Sequence, residues 1–383
     1  MKVFIVAGEA SGDRLGAALM DGLRALRPET RFHGVGGAEM TRRGLNSLFP
    51  MSELSVMGLA EVLPRYRHLR RRMIQTADAV LDVDPDVLIT VDSPDFCLRV
   101  ASRVRARRRL RTVHYVAPSV WAWRPKRAQR MAPFVDQVLA LLPFEPPYME
   151  AAGMRCDFVG HPVATERRPE PAAIRAFRSE VAGEDGPLLL ALPGSRLSEL
   201  RRLAPVFGAA LQRLAGRHPG LRVVLPVAPG MVTDVRGLTA DWRVRPVILD
   251  PARPGAARRK RLAFHAADAA LAASGTVSLE LAAADTPMVV AYDMNWLSWQ
   301  IMRRMVRIDT VTLVNLIEGR HVVPEFLGPA CRPDPIAAAL DGVLADPSRQ
   351  RPALARTMRA LGRGGGAPGL RAAHAVLNGL GAG

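Results

Sequence analysis

Two aspartates lie where the chain could place a general base. Asp92 and Asp95 flank Ser93-Pro94 directly after a short apolar run. A base must lie within hydrogen-bond reach of the hydroxyl it deprotonates, and burial can bring a carboxyl pKa toward the working range. Because Asp95 can also cap the helix that follows, Asp92 is the first candidate for a catalytic base.

A glycine-containing turn follows the first apolar run, at residues 8–13 (GEASGD). Backbone N–H groups at a helix start can hold an anion, although the run lacks the GxGxxG spacing of dinucleotide-binding turns. The acidic Glu9 disfavours direct diphosphate binding and suits hydrogen bonds to sugar hydroxyls, and Glu9 is also the second candidate for the base. A tight strand-to-helix turn without a ligand is the alternative interpretation.

The second half of the chain repeats this device at residues 192–196 (LPGSR), where Gly194, Ser195 and Arg196 precede a helix. The guanidinium of Arg196 presents a fixed fork of donors, and beside a positive helix N-terminus it can stabilise a leaving phosphate without a metal. The turn therefore predicts a diphosphate clamp. The alternative is a surface arginine after a turn.

A third turn, Ser274, Gly275 and Thr276, follows another apolar run and opens a helix that contains Glu280. Hydroxyl and backbone donors thus lie one helical turn from a carboxylate. The arrangement suits a nucleotide sugar, with the turn donating to phosphate and Glu280 accepting from ribose hydroxyls. An ordinary N-cap followed by an ordinary helix glutamate would have the same sequence.

The sequence predicts no metal site. The acidic run 82–86 (DVDPD) resembles a metal-binding DxD, but it precedes its strand and so belongs to a solvated turn away from the expected site. The histidines show no HxH or HExxH spacing. His114 and His161, at predicted strand edges, suit a structural role as well as a catalytic one.

These candidates all follow short apolar runs bounded by glycine or proline, which alternate with helical patterns as in a parallel sheet with crossover helices. We predict an α/β fold with two doubly wound domains and ligands in the cleft facing their carboxyl strand ends. The predicted strands are 2–7, 31–35, 87–92, 111–116, 135–141, 157–160, 187–192, 221–225, 268–271 and 287–291, and the best-marked helices are 14–27, 59–81, 96–108, 145–152 and 370–379.

Two prolines near residues 167–171 predict a linker, because they disfavour continuous helix or sheet. The expected division is an N-terminal domain at 1–165 on the acceptor and membrane side, a C-terminal domain at 166–345 on the UDP-sugar donor side, and a helical tail at 346–383. Residues 362–369 form a glycine-rich joint within that tail.

Length and composition fit a folded two-domain protein. The chain has 383 residues, of which 49% are hydrophobic and 23% charged, so disorder, fibres and a small disulfide scaffold are excluded. The three cysteines have no CxxC spacing, which argues against structural zinc and a secreted disulfide framework. The acidic residues at 9 and 13 come too soon for a signal peptide, so a cytoplasmic location is expected.

The charge balance favours anionic partners. Lys and Arg total 53 and Asp and Glu total 36, a formal net charge of +17. Only Lys2, Lys126 and Lys260 are lysines, so part of the arginine excess is interpreted as coding bias. Aromatic residues make up 5% of the chain and no RRM, KH or zinc signature is present, so nucleic acid is not expected as a partner.

Two stretches have the composition of an interfacial segment. Residues 54–74 mix apolar side chains with five arginines, and residues 296–307 combine two tryptophans with arginines. Such a helix can lay its apolar face among lipids and its cations on phosphates. A helix with a buried stripe and a solvated face is the alternative for each. Together the two stretches favour a lipid substrate and an anionic membrane surface.

Several motifs in one order resemble the lipid-A-disaccharide synthase family, from about residue 6 to residue 345. They are residues 6–13, 56–58, 92–96, 114–124, 142–145, 192–196 and 273–276. The resemblance implies a GT-B fold with two Rossmann-like domains around a cleft, and metal-independent glycosyl transfer with inversion and no cofactor. It implies UDP-2,3-diacylglucosamine as donor and 2,3-diacylglucosamine 1-phosphate as acceptor, with UDP and a β-1,6-linked disaccharide 1-phosphate as products.

The resemblance also assigns roles to residues. Asp92 matches the base, Arg196 and the turn 274–276 match the UDP grip, and Glu280 matches the ribose contact. Asn315 matches a further position in donor binding, and the positions assigned to the acceptor side are Ser11, Gly12 and Met57. Similar proteins dimerise through their C-terminal parts and meet the inner membrane peripherally near residues 54–74. The chain departs from the usual pattern at Val163, Asp293, Val314 and His321.

Two rival functions remain open at this point. A UDP-N-acetylglucosamine 2-epimerase resembles the expected fold and donor, but it would not explain the membrane-like stretches. A basic nucleic-acid-binding protein would explain the charge and the arginines at 103–111, but it lacks aromatic stacking platforms.

Overall fold

Parallel strands connected by helices build both halves of the molecule. The computed structural model describes residues 1–54, 59–124, 126–183, 186–295, 299–300 and 308–381, with the backbone only for residues 59–65. It divides into two units. The N-terminal unit is Met1–Thr165 with Leu361–Gly383, and the C-terminal unit is Glu166–Ala360.

The N-terminal unit contains a six-stranded parallel sheet in the order β2-β1-β3-β4-β5-β6. Its strands are β1 Lys2–Ala7, β2 Arg31–Val35, β3 Val87–Val91, β4 Thr112–Tyr115, β5 Gln137–Ala140 and β6 Arg155–Phe158. Its helices are α1 Ala10–Leu26, α2 Ala38–Arg42, α3 Leu59–Val83, α4 Pro94–Arg105, α5 Lys126–Met131 and α6 Pro146–Glu150, with 3₁₀ turns at Met51–Glu53 and Pro162–Thr165.

The C-terminal unit contains a second six-stranded parallel sheet, in the order β12-β11-β10-β7-β8-β9. Its strands are β7 Leu188–Leu192, β8 Arg222–Pro226, β9 Val247–Leu249, β10 Ala269–Ala272, β11 Met288–Tyr292 and β12 Glu325–Leu327. Its helices include α7 Pro171–Ala182, α8 Leu197–Ala215, α9 Val232–Leu238, α10 Ala256–Ala266, α11 Val277–Ala283, α12 Leu313–Glu318, α13 Pro333–Ala345 and α14 Arg351–Ala360, with 3₁₀ turns at Gly328–Ala330 and Pro347–Arg349.

The central strands of both sheets are buried on both faces. β3 (VLITV) and β7 (LLLAL) are buried at every residue. Continuous apolar runs of this kind are expected where helices cover both faces of a parallel sheet. The prediction of an α/β fold with two doubly wound domains is therefore confirmed.

A last helix, α15 Pro368–Leu380, returns to the N-terminal unit and packs on α1. Gly22 of α1 and Gly369 of α15 allow the close approach, since a Cβ on Gly22 would lie 2.5 Å from the Gly369 carbonyl oxygen. The segment 346–383, expected as one separate tail, is thus divided. Its first helix stays with the C-terminal unit, whereas the apolar face of α15 completes the core beside α1.

The ten strands predicted from apolar runs are confirmed to within about two residues at each end. β9 and β12 lie outside the prediction because each has only three residues, and β12 begins with a glutamate. Met57 and most of the stretch 296–307 lie outside the described residues, as do positions 55–58 of the stretch 54–74. Among the described residues no helix is both long and apolar enough to span a membrane.

Candidate active site

The strand order of each sheet reverses between two neighbouring strands. In the N-terminal unit the reversal lies between β1 and β3, and in the C-terminal unit between β7 and β10. Crossover helices leave toward opposite faces at such a point, so the carboxyl ends of the two strands border a crevice where doubly wound sheets bind ligands. The turns that the sequence singled out follow these four strands.

The N-terminal switch point brings the turn 8–13 against Asp92. Ala7 pairs with Val91, so both chains leave the sheet at the same level. A Cβ on Gly8 would lie 2.5 Å from Ser93 Oγ, which leaves room only for glycine. The two turns can therefore approach this closely because residue 8 is glycine.

Asp92 and Ser93 both adopt left-handed backbone conformations, with φ of 53° and 43°. Non-glycine residues are strained there, and such strain is concentrated at functional sites. The Asp92 carboxylate accepts hydrogen bonds from Ser11 Oγ at 3.2 Å and from the Ser93 amide at 2.9 Å. Within the described part of the chain, no Lys, Arg or His forms an ion pair with it. Its negative charge is thus oriented but not neutralised.

Glu9 lies on the same edge of the sheet. It is the half-buried N-cap residue of α1, and its side chain does not cap the helix. Burial raises the pKa of the Cys97 thiol, and the negative charges of Asp92 and Glu9 raise it further. Both carboxylates therefore lie near the same buried thiol. Gly12 faces the end of β3, where a Cβ would lie 3.1 Å from the Val91 carbonyl oxygen.

The other carboxylates of these motifs have local partners. Asp13 is buried and accepts the amides of Gly37, Glu39 and Met40 at 2.8 to 3.1 Å, which caps the start of α2. Asp95 is exposed and pairs with Arg127 at 2.7 Å. Asp13 is thus enclosed by the cap that it forms and Asp95 is paired with a cation, so Asp92 is the partly exposed carboxylate of the three that has no ion pair among the described residues.

The two histidines that the sequence left open lie in the N-terminal unit, His114 buried and His161 half-buried. His114 Nδ1 lies 2.8 Å from Thr90 Oγ1, and His161 Nδ1 accepts the Val163 amide at 3.2 Å. Burial lowers the pKa of each imidazole to about 4. Both are therefore neutral at pH 7.

A buried glutamate orders the loops beyond β4 and β5. Glu145 accepts the amides of Leu141 and Leu142 at 3.1 and 3.0 Å and the Trp121 indole N–H at 3.4 Å. Burial raises its pKa to about 7, although these donors oppose the shift. Residue types alone gave no sign that this carboxylate is buried.

The C-terminal switch point carries the other two turns. Leu192 pairs with Ala272, so the turn 193–196 and the turn 273–276 start side by side. In the first of them Gly194 has a φ of +106°, and a Cβ there would lie 2.5 Å from Glu199 Oε2. Only glycine can hold this turn against the carboxylate of Glu199.

Glu199 already occupies the amides of the first turn. Its Oε2 accepts the amides of Ser195 at 3.1 Å and Arg196 at 3.3 Å. Its Oε1 accepts Arg196 Nη1 at 3.2 Å, while the Arg196 side chain remains 62% exposed. The turn therefore presents a guanidinium to a ligand, while the amides of Ser195 and Arg196 are bonded to Glu199.

The second turn is open. Gly275 has a φ of +120°, and Gly275 and Thr276 are exposed at the start of α11. Among the described residues, none accepts a hydrogen bond from the backbone N–H of either residue. Exposed amides at a helix start are suited to a phosphate oxygen.

Two further predicted residues make contacts of their own. Glu280 Oε2 lies 2.6 Å from Lys260 Nζ, in a partly exposed ion pair. Asn315 is buried, and its amide group is engaged on both sides. It donates to Thr310 Oγ1 and the Val323 carbonyl and accepts the amides of Val322 and Val323 at 2.9 and 2.8 Å. The described contacts of Asn315 fix the loop around it.

Three contact residues received no role in the sequence analysis, namely Glu145, Glu199 and Lys260. Glu199 had a usable signal, since it stands three residues after the N-cap Arg196, the spacing of a capping box. Lys260 is twenty residues from Glu280 on another helix, and no local pattern connects them.

The acidic run 82–86 lies at the amino end of β3, as expected. Asp84 pairs with Arg108, and Asp86 accepts the Lys2 amide at 2.7 Å. Among the described residues no group of three or more His, Cys, Asp or Glu could hold a metal ion.

Comparison with known proteins identifies the family. The family model of lipid-A-disaccharide synthetase matches residues 3–363. A lipid-A-disaccharide synthase of Ruegeria pomeroyi is 63% identical over 383 residues, which is 99% of this chain and 96% of that protein. One from Rhodospirillum centenum is 48% identical, over 98% of this chain and 94% of that protein.

A solved structure shares the fold at low sequence identity. The UDP-GlcNAc 2-epimerase from Neisseria meningitidis bound to UDP-GlcNAc covers 100% of both chains with a TM-score of 0.67 and 12% identity. This likeness supports the predicted GT-B class of two Rossmann-like domains, and at 12% identity it concerns the fold alone. The family model and the 63% identical relative instead confirm the resemblance seen in the motifs, so the chain belongs to the lipid-A-disaccharide synthetase family and is a glycosyltransferase.

Proposed function

We propose that the enzyme transfers 2,3-diacylglucosamine from its UDP derivative to 2,3-diacylglucosamine 1-phosphate. The primary hydroxyl of the acceptor attacks the anomeric carbon of the donor, and UDP leaves with the electron pair of the broken bond. A single displacement of this kind inverts the anomeric centre and gives a β-1,6-linked disaccharide 1-phosphate. The family assignment supports the product class, and the residues below support the mechanism.

The observation that carries the proposal is the state of Asp92. Its carboxylate is held by Ser11 and the Ser93 amide on a strained backbone, yet no described cation neutralises it. Such a group can accept the proton of the attacking hydroxyl, which is the contribution of a general base. Glu9, on the same edge, remains the alternative base, and Ser11 and Gly12 shape the acceptor side.

The leaving UDP needs positive charge and donors, and the C-terminal unit supplies both. Arg196 presents an exposed guanidinium, and the turn of Ser274, Gly275 and Thr276 presents open amides at a helix start. These groups can bind the charge that develops on the departing diphosphate without a metal. Glu280 would accept hydrogen bonds from ribose hydroxyls, and Asn315 would position the donor through the loop that it fixes.

A lipid-linked substrate places the enzyme on the cytoplasmic face of the inner membrane, as a peripheral protein. Exposed Tyr66 and Trp123 support this location, because each neighbours exposed arginines, and Arg124 lies 4.2 Å from the Trp123 ring. Aromatic residues flanked by cations suit an anionic bilayer surface. Dimerisation through the C-terminal part is proposed from the family resemblance alone.

Sedimentation with liposomes checks the membrane proposal. We expect the protein to pellet with phosphatidylglycerol vesicles in low salt, and we expect Arg67→Gln with Arg70→Gln to weaken this binding by about thirtyfold, since each of the two surface cations contributes about 1 kcal/mol. Phosphatidylcholine vesicles are the control. Equal binding by the variant would exclude a contribution of α3 cations, and no pelleting in low salt would exclude membrane docking.

The reaction itself is tested in mixed micelles that contain both proposed substrates and EDTA, with products identified by mass spectrometry. We expect a tetra-acylated disaccharide phosphate and UDP, undiminished by the chelator. Loss of product with EDTA would contradict the metal-independent mechanism. If folded protein gives neither product, the proposed substrates are wrong. A separate incubation with UDP-N-acetylglucosamine that yields its 2-epimer, identified by comparison with a standard, would support the epimerase alternative.

A further inference from the structure

The turn that carries Arg196 differs from an ordinary phosphate-binding turn, because a carboxylate of the chain itself fills it. Glu199 accepts the amides of Ser195 and Arg196 through one oxygen and the Arg196 guanidinium through the other. Its side chain is only 15% exposed, whereas the Arg196 side chain is 62% exposed. The Glu199 carboxylate is therefore held in place by its contacts, and the Arg196 guanidinium faces solvent.

A second interaction connects Glu199 with the end of β11. Burial raises the pKa of the Tyr292 phenol there, and the negative charge of Glu199 raises it further. One carboxylate thus acts on the turn after β7, on the guanidinium of Arg196 and on the end of β11. A free arginine side chain has many rotamers, and a held guanidinium loses less entropy when it binds a ligand.

The contact leaves part of the guanidinium available. Only Nη1 of Arg196 is engaged with Glu199, so its other N–H groups can meet two oxygens of a phosphate. We infer that Glu199 is a positioning residue, which orients Arg196 toward the diphosphate of the donor. The inference rests on the proposed function, because it assumes that Arg196 grips UDP.

This role differs from two others that the same geometry could suggest. A helix cap alone would stabilise α8 without affecting the ligand. A competitor for the amides would repel the diphosphate, so that its removal would strengthen UDP binding. A positioning residue instead weakens UDP binding when it is removed, and only while Arg196 is present.

The test is a double-mutant cycle of Glu199→Ala and Arg196→Ala, with UDP affinity measured by calorimetry. We expect Arg196→Ala to weaken UDP binding by about tenfold or more, as loss of a charge-assisted hydrogen bond does. Glu199→Ala should weaken it by about fivefold in the native background and by less than about twofold when Arg196 is already alanine. Uridine, which has no phosphate, should bind all four proteins equally.

Folding is controlled with two further variants. Glu199→Gln keeps the size of the side chain but cannot accept at both positions, so it should also weaken UDP binding. Asp334→Asn removes another carboxylate that pairs with α8, through Arg213, far along the helix from the turn. It should change the melting temperature without changing UDP affinity.

The outcomes separate this inference from the proposed function. If the native protein does not bind UDP, the proposed function fails. If UDP binds and Arg196→Ala has no effect, the grip by Arg196 fails and the inference fails with it. If Arg196→Ala weakens binding but Glu199→Ala has no effect, strengthens binding or acts equally in both backgrounds, only the positioning role of Glu199 is overturned.

Discussion

The two switch points have the same architecture and opposite chemistry. At the N-terminal one, the turns after β1 and β3 present the carboxylates of Glu9 and Asp92. At the C-terminal one, the turns after β7 and β10 present the guanidinium of Arg196 and open amides at residues 275 and 276. In both units the sheet places the turns at its switch point. The residues of those turns determine whether the switch point presents negative or positive charge.

The backbone φ angles also differ between the two switch points. Positive φ values at the N-terminal switch point belong to Asp92 and Ser93, whereas those at the C-terminal one belong to Gly194 and Gly275. Glycine adopts such conformations without strain, but it has no side chain. Under the proposed roles, a strained residue is retained where the Asp92 side chain acts as the base, and glycine is used where backbone amides bind the diphosphate.

The largest effect is expected when the negative charge of Asp92, at the N-terminal switch point, is removed. We expect Asp92→Asn to lower turnover by about 10² to 10⁴, the range for loss of a general base, while UDP affinity stays unchanged. Turnover in the mixed-micelle assay and calorimetry with UDP check both parts.

Asp95→Asn is the matched control for that variant, because it removes an exposed carboxylate three residues away whose partner is Arg127. It should leave turnover within about twofold. Full activity of Asp92→Asn together with a large loss in Glu9→Gln would transfer the role of base to Glu9.

Acid should destabilise the N-terminal unit through its buried imidazole, His114. His114 has a pKa lowered to about 4 by burial, against 6.5 for the ordinary side chain. Between these pH values the unfolded chain binds a proton that the folded unit does not, so stability falls as the pH drops from about 6.5 to 4. The full contribution is about 3 kcal/mol for such a shift.

Unfolding of the native protein and of His114→Asn, measured at pH 7 and pH 5, checks this expectation. The variant should lose less stability than the native protein between the two pH values, because it lacks the imidazole that must be protonated. A loss of stability that is equal in both proteins would show that His114 is not the group responsible.

At the C-terminal switch point, the proposed binding of UDP depends on individual backbone amides. Thr276 has φ −63° and ψ −18°, which proline adopts without strain, so Thr276→Pro deletes one N–H and leaves the turn in place. We expect UDP affinity to fall by about tenfold, the effect of one hydrogen bond to a charged group. Thr276→Ala keeps the N–H and should bind UDP nearly as the native protein does. Equal affinities of the proline and alanine variants would show that this amide does not bind phosphate.

Much of the fold could be predicted from sequence, because buried parallel strands are continuous apolar runs with glycine or proline at their ends. The same signal placed Asp92 and the turns at 194–196 and 274–276 at carboxyl strand ends, where the structure has them. It failed for β12, whose three residues include Glu325, a carboxylate that accepts the Thr310 hydroxyl at 2.6 Å.

The partners of the site residues could not be predicted in this way. Whether an amide is open or filled depends on a side chain that folds back from a neighbouring turn, as Glu199 does on Ser195. Asn315 was predicted only as a position in donor binding, and no local pattern indicated that its side chain is buried and hydrogen bonded to Thr310, Val322 and Val323. Such contacts depend on three-dimensional packing, which has no local periodicity.

The smallest expected effect concerns the ion pair between Glu280 and Lys260. Lys260 Nζ holds Oε2 of the carboxylate at 2.6 Å, which leaves Oε1 for a ribose hydroxyl. The two side chains are 39% and 45% exposed, and partly exposed pairs contribute about 1 kcal/mol or less. We therefore expect Lys260→Met to weaken UDP binding by about threefold.

Arg259→Met is the matched control, because Arg259 is the adjacent residue of α10 and pairs with Glu180 instead. It should leave UDP affinity unchanged. The affinity lost in Lys260→Met should vanish for a UDP analogue without the ribose 2′- and 3′-hydroxyls, since Glu280 then has nothing to accept from. If the loss persists with that analogue, Lys260 acts on the diphosphate directly, and the positive charge of the C-terminal switch point extends to α10.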